Sequence, residues 1–116
     1  MADGNVVVDK SRAFAIRIIR LYKHLRQRRV EYDLARQLLR SGTSIGANVK
    51  EAVRGQSKAD FYAKMSIALK EASETEYWLD IMCASGEMDQ KEFNSINDDC
   101  QEVLRLLTAI CKTQKK

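Results

Sequence analysis

Apolar residues recur every three or four positions along most of the chain, a spacing that is typical of amphipathic helices. Phe14, Ile18, Leu21 and Leu25 define such a face near the N-terminus. A coiled-coil-like seam lies near the C-terminus, formed by Phe93, Ile96, Cys100, Val103, Leu107 and Ile110. The pattern predicts four helices, over about residues 11–28, 32–54, 58–85 and 89–112.

Residues that commonly end or begin helices fall between these segments. Gly55 follows the second helix and Gly86 follows the third, and glycine is a frequent helix terminator. Ser57 and Asp89 are each followed three residues later by an acidic residue, the spacing of a capping box. The chain contains no proline, which favours long uninterrupted helices. We therefore predict one all-α domain over residues 1–116, an antiparallel up-down four-helix bundle.

The second predicted helix contains two glycines, Gly42 and Gly46, although glycine inside a helix costs about 1 kcal/mol relative to alanine. Spaced four residues apart, they resemble the small-residue motifs that let two helices approach closely. Ser44 and Asn48 lie on a nearby stripe, and Asn48 is expected to hydrogen-bond across the bundle. A phosphate-binding loop is the alternative, but its Gly-Lys-Ser/Thr ending is absent and no strand precedes it. We predict that Gly42, Ser44, Gly46 and Asn48 serve helix packing.

Positive charge is concentrated in the first helix, although the net charge of the chain is only +4. Between residues 9 and 29 there are eight lysines and arginines and a single acidic residue. On a helical wheel a basic arc lies beside the apolar face, formed by Lys10, Arg17, Arg20, His24 and Arg28. The arc could neutralise nucleic-acid phosphates, or it could be a solvated surface. No aromatic residue interleaves it, so base stacking is not predicted.

The third helix carries more apolar surface than a bundle requires. Tyr62, Tyr77 and Trp78 widen its apolar stripe sideways. Aromatic residues are enriched at subunit interfaces, so these three are candidates for an oligomer interface. The segment 58–87 also carries six acidic residues and three lysines. The alternative to nucleic-acid binding is therefore a protein-interaction scaffold, in which the basic helix meets the acidic third helix of a neighbouring subunit or another protein.

The residues give no support for catalysis, a metal site or a cofactor. The only histidine, His24, lies among arginines, which oppose its protonated form. Di-iron bundles need two Glu-x-x-His motifs, so the carboxylates are expected to be solvated or salt-bridged: Glu51, Glu71, Glu74 and Glu76. We predict a non-enzymatic protein.

Cysteine usage and hydropathy bear on the cellular location. Cys83, Cys100 and Cys111 are odd in number and irregularly spaced, which favours reduced thiols, at least two of them in the core, over disulfides. No segment approaches the roughly 18 consecutive apolar residues of a membrane span. The N-terminus, with only Val6, Val7 and Val8 as an apolar run, does not match a secretory signal. A cytoplasmic protein without membrane contact is the expectation.

Two motifs in the middle of the chain resemble those of a known family. The first is RSGTSIGAN at 40–48 followed by Glu51-Ala52, and the second is SIALKEA at 66–72 followed by ETEYWL at 74–79. With Asp60-Phe61 between them, these motifs are similar to those of the four-helix-bundle proteins encoded in 23S ribosomal RNA intervening sequences. The similarity extends over nearly the whole chain.

The resemblance implies a small antiparallel bundle that assembles as a homo-pentameric ring. The chain also resembles a relative of that family, the accessory variability protein of diversity-generating retroelements, whose basic surface engages nucleic acid and a reverse transcriptase. No catalytic residues are associated with the family. The resulting hypothesis is a homo-oligomeric accessory factor that binds RNA or DNA through its basic first helix.

Overall fold

The structure is a computed structural model that describes the backbone of residues 2–115 and the side chains of residues 6–114. Its four helices are α1 (Ala2–Gln27), α2 (Tyr32–Val53), α3 (Lys58–Ala84) and α4 (Gln90–Lys112), and a 3-10 turn follows at Thr113–Lys115. No strand occurs in this part of the chain. The predicted all-α four-helix bundle is confirmed.

The helices form a bundle of about 44 × 19 × 19 Å in which each helix packs on the next along the chain. A smaller contact between α1 and α4 completes the ring of helices. The 26 residues of α1 extend over about 39 Å, which the four residues before α2 are too short to retrace. Consecutive helices must therefore run antiparallel, in the predicted up-down order.

The main difference from the predicted boundaries is the start of α1, which lies at Ala2 instead of near Ser11. Val7 lies seven residues before Phe14 and is fully buried, so the apolar face continues toward the N-terminus. Ser11 is itself only 1% exposed, because α2 packs against it. The tertiary contacts of these additional turns, about two and a half in all, outweigh the capping preference that placed the start near Ser11.

The starts of α3 and α4 follow their predicted caps. The Ser57 hydroxyl accepts a hydrogen bond from the backbone N–H of Asp60 at the start of α3. Asp89 and Glu92 form a reciprocal capping box at the start of α4. The turn between these helices contains Gly86 at φ +85°, a conformation that glycine adopts without steric cost.

The core runs the length of the bundle, and Tyr62 belongs to it. This tyrosine is only 8% exposed, and its hydroxyl lies 2.5 Å from Thr113 Oγ1. Its position corrects the prediction that placed Tyr62 with Tyr77 and Trp78 at an oligomer interface. The α3 stripe is broad here because it packs against both α2 and α4, and the wheel could not reveal how much of that width the bundle itself covers.

Gly42 and Gly46 lie where α2 approaches α1 most closely. A Cβ atom added to Gly42 would lie 2.8 Å from both Cγ atoms of Ile18, a fully buried residue. One added to Gly46 would lie 3.3 Å from the carbonyl oxygen of Ser11. The two glycines thus let the backbone of α2 pack directly onto α1, and this tertiary contact offsets the cost of glycine inside the helix.

The polar partners of that motif act locally. Asn48 donates a 2.9 Å hydrogen bond to the carbonyl oxygen of Ser44 on its own helix, which corrects the expected bond across the bundle. Ser44 in turn donates to the carbonyl of Arg40 at 2.6 Å. Both side chains are half-buried, so bonding to the preceding turn satisfies them without a partner on another helix.

Polar groups inside the bundle are hydrogen-bonded or kept neutral. Ser41 and Thr75 are fully buried, and the Thr75 hydroxyl donates to Ser41 Oγ at 2.9 Å, joining α2 to α3. Burial, with a smaller contribution from the charge of Glu76, raises the pKa of the Cys100 thiol to about 12. This thiol is therefore protonated at neutral pH and packs as a small apolar residue.

Candidate nucleic-acid interface

The predicted basic arc faces α4, and four of its five members lie beside a carboxylate of that helix. The pairs are Lys10–Glu102 at 3.4 Å, Arg17–Asp99 at 2.6 Å, His24–Glu92 at 3.1 Å and Arg28–Glu92 at 2.7 Å. Arg17 also donates to the Ser95 hydroxyl at 2.9 Å. Three permanent cations thus face three carboxylates, and the paired surface carries little net positive charge.

Glu92 holds one end of this contact. Its carboxylate accepts from Arg28 and also from the backbone N–H of Asp89, as part of the α4 capping box. The hydrogen bond and the charge of Glu92 raise the pKa of Arg28 above its usual value. The same carboxylate therefore fixes the start of α4 and draws the end of α1 toward it.

Arg20 is the member of the arc without an ion pair among the described side chains. With Arg17 and His24 it lines an open hollow of about 450 Å³ between α1 and α4. The opposite wall of the hollow includes Lys91 and Glu92. The structure brings these arc residues together, but on a surface that they share with acidic groups.

Unpaired basic residues lie on the other side of α1, where it meets α2. Arg12 of α1 and Lys50 of α2 line a groove of about 190 Å³ that passes over Gly46. Both side chains are exposed, and neither makes an ion pair with another described residue. The groove that Gly46 lines therefore has a cation on each wall.

A second basic group lies toward the other end of the same helix pair, around Tyr32. The guanidinium carbon of Arg26 lies 4.7 Å from the centroid of the Tyr32 ring, and that of Arg36 lies 5.6 Å from it. Arg36 also donates to the Tyr32 hydroxyl at 3.2 Å. Tyr32 remains 46% exposed. An exposed aromatic residue thus accompanies basic side chains here, unlike in the predicted arc.

These residues and the turn between the helices define what we call the cationic face: Arg12, Arg26, Arg29, Arg36 and Lys50. None of the five forms an ion pair with a described side chain. Arg12 and Arg26 are fourteen residues apart on α1, a separation of about 21 Å. The nearby Glu31 carboxylate is engaged with the backbone N–H groups of Asp33 and Leu34. The cationic face is therefore an extended row of cations without ion-pair partners among the described side chains, and the carboxylates nearest to Arg12 and Arg36 in sequence, Asp9 and Asp33, lie one turn before them.

Sequence reasoning missed the cationic face because a helical wheel does not show which neighbour covers which side of a helix. The available signal was on α4, where Glu92, Asp99 and Glu102 are spaced by seven and three residues and so share one side. An acidic stripe next to a basic arc is a candidate partner for it. Because the α4 carboxylates pair with the arc, the cations elsewhere on α1 are the ones that remain available to bind a ligand.

The groove between α3 and α4 has the opposite charge. Glu76 and Asp80 line it together with Tyr77, which is 56% exposed. Trp78 is half-buried against the core, and its indole N–H donates to Glu74 at 3.2 Å. Of the aromatic residues predicted at an interface, Tyr77 is thus the one that projects most into solvent.

The carboxylates considered as metal ligands have other partners. Arg40 pairs with Glu71 at 3.4 Å and also with Glu74, joining α2 to α3. Lys64 pairs with Glu51 at 3.1 Å. Within residues 6–114 no group of three or more potential ligands is positioned to hold a metal ion. No helix in the described part of the chain has the length and apolarity needed to cross a bilayer.

Fold and surface together define a small all-α bundle with a basic side and an acidic side. A family model for the 23S rRNA-intervening sequence protein matches residues 4–109, and the chain belongs to that family. The solved structure of an S23 ribosomal protein family member of unknown function from Bacteroides thetaiotaomicron is similar, with 50% sequence identity and a TM-score of 0.91. The similarity covers 95% of this chain and 98% of that one. No curated protein matches the chain.

Proposed function

We propose that this protein is a non-enzymatic accessory factor that binds the phosphate backbone of nucleic acid through its cationic face. The observation that carries the proposal is the distribution of partners: every arc member except Arg20 has a carboxylate within ion-pair distance, whereas none of the five residues of the cationic face has one among the described side chains. The family name describes where such genes are found and does not itself identify a ligand.

The electrostatics favour the α1–α2 side over the α1–α4 side. A phosphate that approaches Arg17 or Arg28 must compete with Asp99 or Glu92, whose oxygens already accept short hydrogen bonds. A phosphate that approaches Arg12 or Lys50 displaces only counterions, and counterion release is the main source of sequence-independent affinity. The cationic face therefore offers more binding free energy per cation than the predicted arc.

Assembly would strengthen a surface of this size. Five cations per subunit provide modest affinity, and several copies in one particle raise it through effective concentration. We propose a homo-oligomer, with the pentameric ring of the family resemblance as the specific form. A ring requires a heterologous contact between two different surfaces of the subunit. The acidic groove with Tyr77 is a suitable surface for one side of that contact.

The alternative is a pure interaction scaffold, in which the cationic face meets the acidic groove of the next copy. Unlike charges on the two sides of the bundle favour it, because Glu76 and Asp80 also have no basic partner among the described side chains. The two functions differ in whether the cationic face is open or covered in the assembled protein. Light scattering of the variants described below distinguishes the two functions, because the mass of the assembled particle should fall in a scaffold when the cationic face is neutralised.

The test compares two variants that each remove two cations. The face variant is Arg12→Gln with Lys50→Gln, and the matched arc variant is Arg17→Gln with Arg28→Gln. Binding of duplex DNA and duplex RNA is measured by fluorescence anisotropy across a salt series. We expect the face variant to lower the slope of log K against log salt by about 1.8, because each phosphate contact contributes about 0.9. The arc variant should change the slope by much less.

Two outcomes would contradict the proposal. Absence of binding by the wild-type protein at low salt would remove the nucleic-acid function altogether. A larger loss in the arc variant would return the interface to α1–α4. Circular dichroism of both variants provides the control for folding, since all four side chains lie at least partly in solvent.

A further inference from the structure

The turn between α1 and α2 places an arginine where helices usually place glycine. Arg29 has φ +61°, the left-handed conformation, and it is the only described residue other than glycine with positive φ. The backbone N–H of Val30 donates to the carbonyl of Leu25 at 3.0 Å, which is the long hydrogen bond of a Schellman motif. Leu25 and Val30 are both buried, so packing holds this turn closed.

The equivalent position after α3 shows that this chain can use glycine for the same purpose. Gly86 follows α3 with φ +85°, and its neighbour Glu87 donates to the carbonyl of Met82 at 2.9 Å. A left-handed residue with a Cβ atom is strained, whereas glycine there is not. Strain of this kind points to a use for the side chain that is retained.

The Arg29 side chain is exposed, and it lies in the turn that leads into Tyr32 at the start of α2. Tyr32 follows it by three residues, and Arg26, which donates to the carbonyl of Val30 at 3.0 Å, lies over the tyrosine ring. Arg26 thus connects the strained turn to the exposed ring. Arg36 is farther from the ring centroid, at 5.6 Å, and donates to the Tyr32 hydroxyl, so a stacking base would take the place of this guanidinium group.

We propose that Tyr32 and Arg29 form a site for single-stranded nucleic acid, in which an unpaired base stacks at Tyr32 and its phosphate is bound by Arg29. This inference rests on the proposed function and narrows its substrate class. An exposed tyrosine between cations provides the stacking surface and the charge that single-strand sites combine. The bases of a duplex are already stacked on each other, so a duplex gains only the charge.

The test of the stacking part measures binding of oligothymidine, oligouridine and a DNA duplex of equal length. Tyr32→Ala should weaken binding of both single strands by about 5- to 100-fold, as expected for the loss of one stacked base, and leave duplex binding unchanged. Tyr32→Phe is the matched control, because it keeps the ring and loses only the hydroxyl bonded by Arg36; it should bind as the wild type does.

Arg29→Gly provides a readout that a merely structural role would not produce. Removing the left-handed strain should raise the melting temperature by about 2–5 °C, whereas loss of one phosphate contact should lower the salt slope for single strands by about 0.7. A more stable protein that binds more weakly is therefore the expected result. Unfolding of this variant is not expected, because glycine is the residue best suited to the position.

The outcomes separate this inference from the proposed function. If the wild-type protein binds duplex but Tyr32→Ala does not weaken its binding of single strands, the single-strand site is wrong and the general function stands. Equal weakening for duplex and single strands also overturns the site, because stacking cannot account for it. Absence of any wild-type binding overturns both.

Discussion

Gly42→Val is expected to destabilise the bundle by about 1–3 kcal/mol, since overpacking of a close helix contact cannot relax easily. A Cβ atom at this position would lie 2.8 Å from both γ carbons of Ile18, which are bonded to its Cβ atom and so cannot move far from the backbone. Ile18 is fully buried and has no free space into which to turn. The measurement is the free energy of unfolding from urea denaturation.

Helix propensity alone predicts that Gly42→Val raises the free energy of unfolding, which is the opposite of the effect expected from overpacking. Valine is a better helix former than glycine by a few tenths of a kcal/mol, and without the contact the substitution would be mildly stabilising. Ala47→Val, at an exposed position of the same helix, should cost less than about 1 kcal/mol. The double variant with Gly42→Val and Ile18→Ala should be less destabilised than the sum of its two single variants, by a coupling of about 1–3 kcal/mol. A Gly42→Val variant as stable as the wild type would refute the packing role.

Removal of the α4 carboxylates is expected to increase nucleic-acid affinity. The variant combines Glu92→Gln, Asp99→Asn and Glu102→Gln, and it releases the arc cations Lys10, Arg17, His24 and Arg28 from their partners. Three newly available permanent cations should raise affinity by about 10- to 100-fold at low salt and steepen the salt slope. Exposed ion pairs are worth little, so the bundle should remain folded. Glutamine at position 92 also preserves the capping box.

A second triple variant separates the local effect from the change in net charge. Glu76→Gln, Asp80→Asn and Asp98→Asn remove the same three charges from α3 and α4, and the first two of these residues line the acidic groove. This control should raise affinity far less, because it releases no cation of the arc. Equal gains in affinity for the two variants would mean that only the overall charge matters. No gain in affinity for either variant would contradict the inference that the α4 carboxylates keep the arc from binding phosphate.

The bundle was predictable because its determinants are local. Spacing of apolar residues, the caps at Ser57 and Asp89, and the glycine after α3 each act within a few residues. The close approach at Gly42 also follows from a local oddity, a cost that only a tertiary contact could offset. The start of α1 was not predictable from caps, because burial of Val7 against other helices decided it.

The functional surface was harder to predict because it depends on which helix covers which. The basic arc of α1 was visible in the sequence, but its neutralisation requires that α4 lie on that side of α1. Likewise, Arg26 and Arg36 are ten residues apart and on different helices, and only the fold places both guanidinium groups beside Tyr32. Partner identity across helices is tertiary information, and the wheel of a single helix does not contain it.

Chemical-shift mapping of the ¹⁵N-labelled protein with a duplex oligonucleotide tests the central claim most directly. We predict that the shifts concentrate at the Nε signals of Arg12, Arg26 and Arg36 and at amides near Gly46, whereas Arg17 and Arg28 remain unperturbed. Shifts confined to Arg17, Arg28 and the facing residues of α4 would contradict the assignment of the interface to the cationic face. A spectrum unchanged by nucleic acid at low salt would contradict the function itself.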